Sequence, residues 1–227
     1  KGLGVVAGAH QSPDLPYYNA SIQPRALDLQ KAEQLLTEAG FARGASGTWE
    51  KDSRPLKIEY WITTGDQTLK LVGQAVAASW RKLGVDVVER EIDMRNVGTA
   101  DSYFYDKSTM TAGQYDWYNQ LDPDTRFFWH SDFIPREAGG GGGNSKAFFN
   151  KLDRQDEFDR LLDAGAVEFD QAKRVAIYHD VQALLHEETP VIFLYWPKRI
   201  FVAPKTLQYE TNAALPLLFN AYSWKLP

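Results

Sequence analysis

The chain has no cysteine among its 227 residues. This absence excludes disulfides, cysteine-based zinc sites and thiol nucleophiles. Also missing is any stretch close to the roughly 18 to 20 apolar residues that a membrane-spanning helix needs. No basic run occurs, and the formal net charge of −5 argues against nucleic acid as a partner. What is present is a globular composition, 44% hydrophobic and 24% charged, in a chain long enough to bury a sizeable core.

The sequence motifs of several enzyme and metal classes are absent as well. There is no G-x-S-x-G and no H-E-x-x-H. The glycine run at 139–143 ends in Asn-Ser-Lys and follows no strand, so it predicts a flexible surface loop rather than a phosphate loop. We expect no metal and no cofactor. Structural or solvated roles are expected for the four histidines, which are His10, His130, His179 and His186.

The first half of the chain has clear helix and strand periods. Apolar residues at helical spacing predict a helix over 28–40, with Asp28 as its N-cap and Gly40 at its end. After a glycine-rich turn, alternation over 55–62 predicts a strand. A second helix is predicted over 67–83 and a β-branched strand over 85–92. Strand, crossover helix and strand in this order imply a parallel pair.

The second half mixes periodic and irregular segments. Residues 114–121 are predicted to form a strand, and 122–149 a long irregular stretch. Two helices are predicted over 155–165 and 170–188, the second with a buried stripe. The apolar run at 191–196 predicts a strand that is covered on both faces. Residues 1–27 and the tail from 204 are expected to be extended or irregular.

One stretch, QYDWYNQLDPDTRFFW at 114–129, places aromatic rings around Asp122-Pro123-Asp124. It has two interpretations. It could be a hydrophobic corner, with Asp122 and Asp124 fixing a turn through bonds to the backbone. It could equally be a ligand wall, since aromatic faces hold flat or cationic groups and a carboxylate can pair with an amine. A third hypothesis is a carboxylate-dependent hydrolase, although sequence adjacency of acids does not give the required geometry.

Three stretches together resemble a known family. The helix LDLQKAEQLLTEAGF at 27–41, the helix and strand LKLVGQAVAASWRKLGVDVVEREID at 69–93, and the segment from Phe158 to Trp196 are similar, in order and spacing, to units of the family 5 extracellular solute-binding proteins. These are the dipeptide, oligopeptide and nickel binders of ABC importers. The resemblance covers about residues 15–200.

The resemblance implies an α/β fold: a lobe like that of type II periplasmic binding proteins, with a mixed sheet flanked by helices and extended terminal segments. Such proteins are two lobes on a hinge. The chain is then expected to divide into a hinge-proximal segment at 1–20, a C-terminal solute-binding lobe at 21–203, and a return segment at 204–227 toward an N-terminal lobe that lies outside this sequence. No catalysis is expected.

The resemblance also implies partners, a location and a site. The partners are a small or peptide-like solute and a membrane permease, and the location is periplasmic or extracellular, with a lipoprotein anchor as one option. Tyr115-Asp116 and Asp122-Pro123 match the ends of a family segment, but the Trp and the amine-binding Asp between them have no counterpart at that spacing. The expected ligand-wall residues are Trp117, Tyr118, Asn119, Asp122 and, after the first strand, Trp61.

Overall fold

The computed structural model describes residues 2, 4–96, 111–116, 118–134, 143–144, 152–212, 215 and 217–225. In chain order the strands are β1 Gly4–Val6, β2 Ala42–Arg43, β3 Trp49–Lys51, β4 Arg54–Pro55, β5 Lys57–Thr64, β6 Asp86–Asp93, β7 Thr111–Gly113 and β8 Tyr195–Pro197, and the α-helices are α1 Leu29–Glu38, α2 Gln67–Lys82, α3 Arg126–Trp129, α4 Gln155–Val167 and α5 Gln171–Glu188. One unit contains Lys1–Arg25, Tyr118–Ile134 and Gly142–Pro227, and the other contains Ala26–Trp117 and Pro135–Gly141.

The unit that contains β5 is built on a parallel sheet. Strand order is β6-β5-β7, and both pairings are parallel. The connection from β5 to β6 runs through α2, whose N-cap Asp66 accepts hydrogen bonds from the N–H groups of Thr68 and Leu69. Tyr60 and Ile62 of β5 pack with Ala77 of α2 in the buried core. The predicted strand, helix and strand are therefore confirmed, as is the α/β fold class.

Helix α1 of the same unit begins and ends as the sequence predicts. The Asp28 carboxylate accepts a hydrogen bond from the N–H of Lys31 at 2.9 Å. Gly40, just past the end, has φ +87°, which is the left-handed conformation that glycine tolerates without steric cost. Phe41 folds back, and its N–H bonds to the carbonyl of Leu36 at 2.9 Å. Local sequence chemistry thus determines both ends of this helix.

The glycine-rich turn predicted between α1 and β5 is in fact a small sheet, so this prediction was wrong. Strands β2, β3 and β4 pair antiparallel in sequence order. Trp49 anchors this sheet because its ring is buried and its Nε1–H donates to the carbonyl of Leu83 at 2.8 Å. Arg43 covers the same ring, with its guanidinium 4.2 Å from the centroid. Instead of the single mixed sheet that was expected, the structure contains one parallel sheet and separate antiparallel sheets.

The unit that contains both chain ends is built on the pair α4 and α5. Phe158 and Leu162 of α4 and Val181 and Leu185 of α5 are buried, and α4 packs on α5. Within the predicted stripe of α5, Val181, Leu184 and Leu185 are buried, whereas Ile177 is half-buried. Asp170 caps α5 by accepting from the N–H of Lys173 at 3.0 Å. Both predicted helices are confirmed.

The N-terminal segment is fastened to this helical pair by a buried amide. Strand β1 pairs antiparallel with β8. Further along, the Gln182 side chain of α5 donates to the carbonyl of Tyr17 at 2.7 Å and accepts from the N–H of Asn19 at 3.1 Å. Its amide nitrogen also donates to the carbonyl of Tyr178 at 2.9 Å. The segment is irregular but ordered by side-chain bonds.

Two strand predictions need correction. Strand β7 ends at Gly113, and the described residues 114–116 and 118–121 form no strand. The Asn119 side chain bonds instead to the N-terminal segment, where it accepts from the N–H of Ser12 and donates to the carbonyl of His10. The apolar run at 191–196 contributes only its end to β8, and in the described part of the chain β8 pairs with β1 and with no other strand.

The predicted irregular stretch at 122–149 contains the short helix α3 and a 3-10 turn over Ser131–Phe133. The glycine run at 139–143 lies outside the described residues except for Gly143. The three predicted stretches 1–20, 21–203 and 204–227 divide the chain differently from the two units. These three stretches were defined by the hinge of a complete protein, so their boundaries stay a prediction.

Candidate functional site

The aromatic and acidic stretch combines a core corner with an exposed edge. Pro123 and Trp129 are buried, so this part of the stretch packs inside the unit. Tyr118 is 70% exposed and Phe127 is 51% exposed. The ring of Phe127 contacts that of Phe133, with centroids 5.6 Å apart. One part of the segment therefore packs as a corner, while another part leaves aromatic rings exposed.

Side-chain bonds to the backbone shape the turn, as the corner interpretation predicts. The Asp122 carboxylate accepts from the N–H of Asp124 at 2.8 Å, and the Asp124 carboxylate accepts from the N–H of Arg126 at 3.0 Å. Asp124 also forms an ion pair with the guanidinium of Arg126 at 2.8 Å. These carboxylates give the N–H groups of Asp124 and Arg126 acceptors within the turn, next to Pro123, which has no N–H of its own.

Asp122 is held by an arginine of α5. Arg174 donates to the two carboxylate oxygens of Asp122 at 3.0 and 3.1 Å, and to the carbonyl of Gly165 at 2.9 Å. Burial opposes ionisation of Asp122, but hydrogen bonds from Arg174 and the Asp124 N–H, together with the Arg174 charge, outweigh it and lower its pKa. The hydrogen bonds that Arg174 donates to Asp122 likewise raise the pKa of Arg174. Asp122 is therefore an ionised partner of α5.

The Arg174 guanidinium also lies close to two tyrosine rings. Its carbon is 5.7 Å from the ring centroid of Tyr17 and 5.6 Å from that of Tyr178. The two rings meet edge to face at 5.8 Å. Burial, followed by the nearby Asp124 carboxylate, raises the pKa of Tyr178 to about 12. Arg174 thus links the N-terminal segment, α5 and the turn at Asp122.

Asn119 uses both ends of its amide within the unit. Its Oδ1 accepts from the N–H of Ser12 at 2.7 Å, and its Nδ2 donates to the carbonyl of His10 at 2.8 Å. His10 is buried, and burial lowers its pKa to about 3, so it is neutral. Asn119 therefore positions the backbone next to Tyr118.

Tyr118 is paired with a cation from the segment that follows β8. The guanidinium of Arg199 lies 5.9 Å from the centroid of the Tyr118 ring, within the range of a cation–π contact. Both side chains are exposed. They form an edge with a flat apolar face and a positive charge, which we call the Tyr118 edge.

The remaining predicted wall residues lie elsewhere. Trp117 falls outside the described residues. Trp61 is a half-buried residue of β5, opposite Arg90 of β6, and belongs to the other unit. The structure thus brings Tyr118, Asn119 and Asp122 into one segment of one unit. Arg174 and Arg199 were missed, because Arg174 pairs with a residue 52 positions away and Arg199 stands out in the sequence only as part of a short basic segment.

His130 and three aspartates form a polar cluster near this segment. His130 is buried, with its ring nitrogens 3.9 Å from Asp159, 3.7 Å from Asp132 and 3.6 Å from Asp163. Its Nδ1 accepts from the N–H of Asp132 at 3.1 Å. In the part of the chain that the structure describes, no group of three or more His, Cys, Asp or Glu residues could hold a metal ion. The cluster caps the turn after α3.

Comparison with known proteins identifies the family. A model described as bacterial extracellular solute-binding proteins, family 5 Middle, matches residues 1–135, more than half of the chain. The chain belongs to this family. Family 5 consists of solute-binding proteins rather than enzymes, so the hydrolase hypothesis has no support.

Individual relatives of this family 5 chain agree with the assignment. The nickel-binding periplasmic protein of Escherichia coli (strain K12) is 27% identical over 194 residues, which cover 82% of this chain and 34% of that protein. Heme-binding protein A of Haemophilus influenzae is 27% identical over 203 residues, 85% of this chain and 32% of that protein. The chain thus spans about a third of the length of these relatives.

A solved structure supports the fold of the family 5 chain. The oligopeptide-binding protein AppA from Bacillus subtilis, in complex with a nonapeptide, matches with a TM-score of 0.76 and 21% identity. The match covers 100% of this chain and 43% of AppA. The type II periplasmic-binding-protein fold is therefore confirmed. Among the described residues, no helix is both long and apolar enough to cross a membrane.

Proposed function

We propose that this chain is the C-terminal lobe of a solute-binding protein that captures a small solute by closure of two lobes on a hinge. The observation that carries the proposal is the exposed apolar surface of the segment that follows α5. Val202 is 87% exposed and Tyr222 is 90% exposed. Further exposed apolar side chains of this segment are Ile192, Ile200, Leu218 and Phe219. Isolated exposed apolar residues are normal, but many in one segment mark an interaction surface.

The rest of the same protein is the partner that fits this surface best. The relatives are about three times as long as the matched region, so a complete protein of this family has additional chain to cover it. Part of the segment is already structured: Trp224 donates to the side chain of Asn220 at 2.8 Å, and its ring lies 5.7 Å from those of Phe201 and Tyr209. We assign 1–20 and 204–227 to the hinge and the return toward the N-terminal lobe.

The solute is proposed to contact the Tyr118 edge. Tyr118 offers an exposed aromatic face, while Asn119 and Asp122 hold its segment in place through bonds to His10, Ser12 and Arg174. Trp117 and Trp61 remain proposed wall residues. The relatives' names state nickel, heme and a nonapeptide as ligands, so the family accommodates different solutes. A peptide-like or other polar solute is proposed here, bound by stacking and a few polar contacts.

In this proposal, closure of the two lobes supplies the affinity for the solute. A ligand favours the closed state only to the extent that it binds that state better, which requires contacts to both lobes. We further propose that the complete protein is periplasmic or extracellular and delivers its solute to the permease of an ABC importer. A lipoprotein anchor is compatible with that location.

A thermal-shift screen of the complete protein tests the proposed site. The candidate solutes are dipeptides and tripeptides, a nickel–histidine complex, and heme. A solute that binds only the folded state raises the melting temperature by mass action. For that solute, Tyr118→Ala should weaken binding about tenfold or more, because an aromatic contact is lost.

Phe169→Ala is the matched control for this experiment. Phe169 is an aromatic residue that is 98% exposed, between α4 and α5. Its removal should leave the affinity within about twofold of the wild type. Wild-type affinity in the Tyr118→Ala protein would rule out Tyr118 as a wall residue.

A further inference from the structure

The charges at the Tyr118 edge indicate which kind of solute binds there. We propose that the solute carries a carboxylate, which pairs with Arg199 while a flat apolar part of the solute lies against Tyr118. This inference rests on the proposed function, because it concerns the same wall. It differs from the sequence-based hypothesis in which an acidic residue of this stretch binds a ligand amine.

The acidic residue of the wall is already neutralised within the unit. Asp122 receives two hydrogen bonds from Arg174, at 3.0 and 3.1 Å, and a third from the N–H of Asp124 at 2.8 Å. The Arg174 side chain is only 18% exposed and also donates to the carbonyl of Gly165. An ammonium group of a ligand would have to displace this bidentate partner, leaving a largely buried guanidinium without its counter-ion. Asp122 is therefore a poor receptor for an amine.

Arg199, in contrast, contributes positive charge that the described structure does not offset. Among the described residues, no carboxylate lies within ion-pair distance of its guanidinium. The segment 198–205 also contains Lys198 and Lys205 and has no acidic residue. An arginine presents N–H donors in a planar fork that matches the two oxygens of a carboxylate.

Because Arg199 lies beside the Tyr118 ring, the site selects the shape of the solute as well as its charge. The guanidinium carbon is 5.9 Å from the centroid of Tyr118, so one ligand can touch both groups if a planar or apolar part adjoins its carboxylate. Aromatic carboxylates and the carboxyl end of a peptide with an aromatic residue have this chemistry. A cation of the same shape would meet Arg199 with like charge.

Two small probes of matched shape and opposite charge test the inference: benzoate and benzamidine. Each is titrated into the 227-residue chain carrying ¹⁵N-arginine and ¹³C-tyrosine labels, and NMR signals of Arg199 and Tyr118 are followed. Benzoate should shift both signals saturably, with a dissociation constant at least tenfold below that of benzamidine. Arg199→Gln should weaken benzoate binding at least tenfold. Lys205→Gln, which removes another exposed cation of the segment, should change it less than twofold.

The outcomes separate this inference from the proposed function. If Tyr118 responds equally to both probes, or if Arg199→Gln leaves benzoate binding unchanged, the carboxylate assignment is wrong while the Tyr118 wall stands. If neither Tyr118 nor Arg199 responds to either probe, the carboxylate assignment is contradicted, while the Tyr118 wall is decided separately by Tyr118→Ala in the complete protein. Unchanged backbone amide spectra of the two variants would show that each change acts at the site and not through unfolding.

Discussion

Single side chains of the 114–129 stretch carry out tasks that their residue types do not reveal. Asp122 is a carboxylate in an aromatic setting, which suggests a ligand contact, yet it serves as the counter-ion of Arg174. Asn119 has a polar amide beside an exposed tyrosine, yet both of its polar atoms bind the backbone at His10 and Ser12. Tyr118 keeps its ring largely exposed. The residues that hold this segment in place and the residue proposed to face a solute are therefore neighbours in sequence.

The ion pair of Asp122 gives a prediction about pH. Its folded-state pKa is lowered, so its contribution to stability is complete above the ordinary aspartate pKa of about 4 and is lost as the pH falls through the lowered value. Asp122→Asn should cost about 1 kcal/mol in the free energy of unfolding at pH 7, a modest figure because the carboxylate is 58% exposed. Urea unfolding of both proteins at several pH values measures the difference.

The matched control for this prediction is Asp14→Asn, at an exposed aspartate of the same unit. It should change the unfolding free energy by less than about 0.5 kcal/mol. A constant difference between the wild type and Asp122→Asn from neutral to strongly acidic pH would show that the Asp122 charge is not the cause.

At the scale of elements, long-range polar contacts organise the segments that lack regular structure. Gln182 of α5 is fully buried and satisfies the carbonyl of Tyr17, the carbonyl of Tyr178 and the N–H of Asn19. The N-terminal segment would otherwise bury these backbone groups without partners, which is unfavourable. This amide is the reason that an aperiodic segment packs in a fixed way on a helix.

Gln182→Leu should therefore destabilise the chain by about 3 kcal/mol or more, because Tyr17 and Asn19 lose buried hydrogen-bond partners. Denaturant unfolding measures this loss, and hydrogen exchange should show faster exchange around Asn19. The control is Gln208→Leu, the same change at an exposed glutamine, for which we expect less than about 0.5 kcal/mol. Equal stabilities of the two variants would contradict the anchoring role of Gln182.

A feature could be predicted from the sequence when the residues that determine it lie close together along the chain. Helix α1 was predicted with its Asp28 cap, and α2 and α5 were predicted from their helical period, because an aspartate cap and the helical period are local features. The sheet of β2, β3 and β4 was missed because its strands are only two or three residues long. The pairing of Arg174 with Asp122, 52 residues apart, has no local signal. Without that partner, the sequence left Asp122 open to a ligand role.

At the scale of the whole molecule, we propose that the chain is one lobe of a two-lobed protein. It belongs to a family of solute-binding proteins and spans about a third of its relatives. Exposed apolar residues are concentrated in the segment after α5, and the Tyr118 edge is the proposed contact for a solute. A solute enclosed by two lobes gains contacts from both, whereas the chain alone offers only one set.

Calorimetric titration of one solute into two proteins tests this central claim most directly. The solute is the one that the thermal-shift screen identifies, and the proteins are the 227-residue chain and the complete protein that contains it. We expect the complete protein to bind at least about 100-fold more tightly, a difference of about 2.7 kcal/mol or more. Sub-micromolar binding by the chain alone, equal to that of the complete protein, would contradict capture by two lobes.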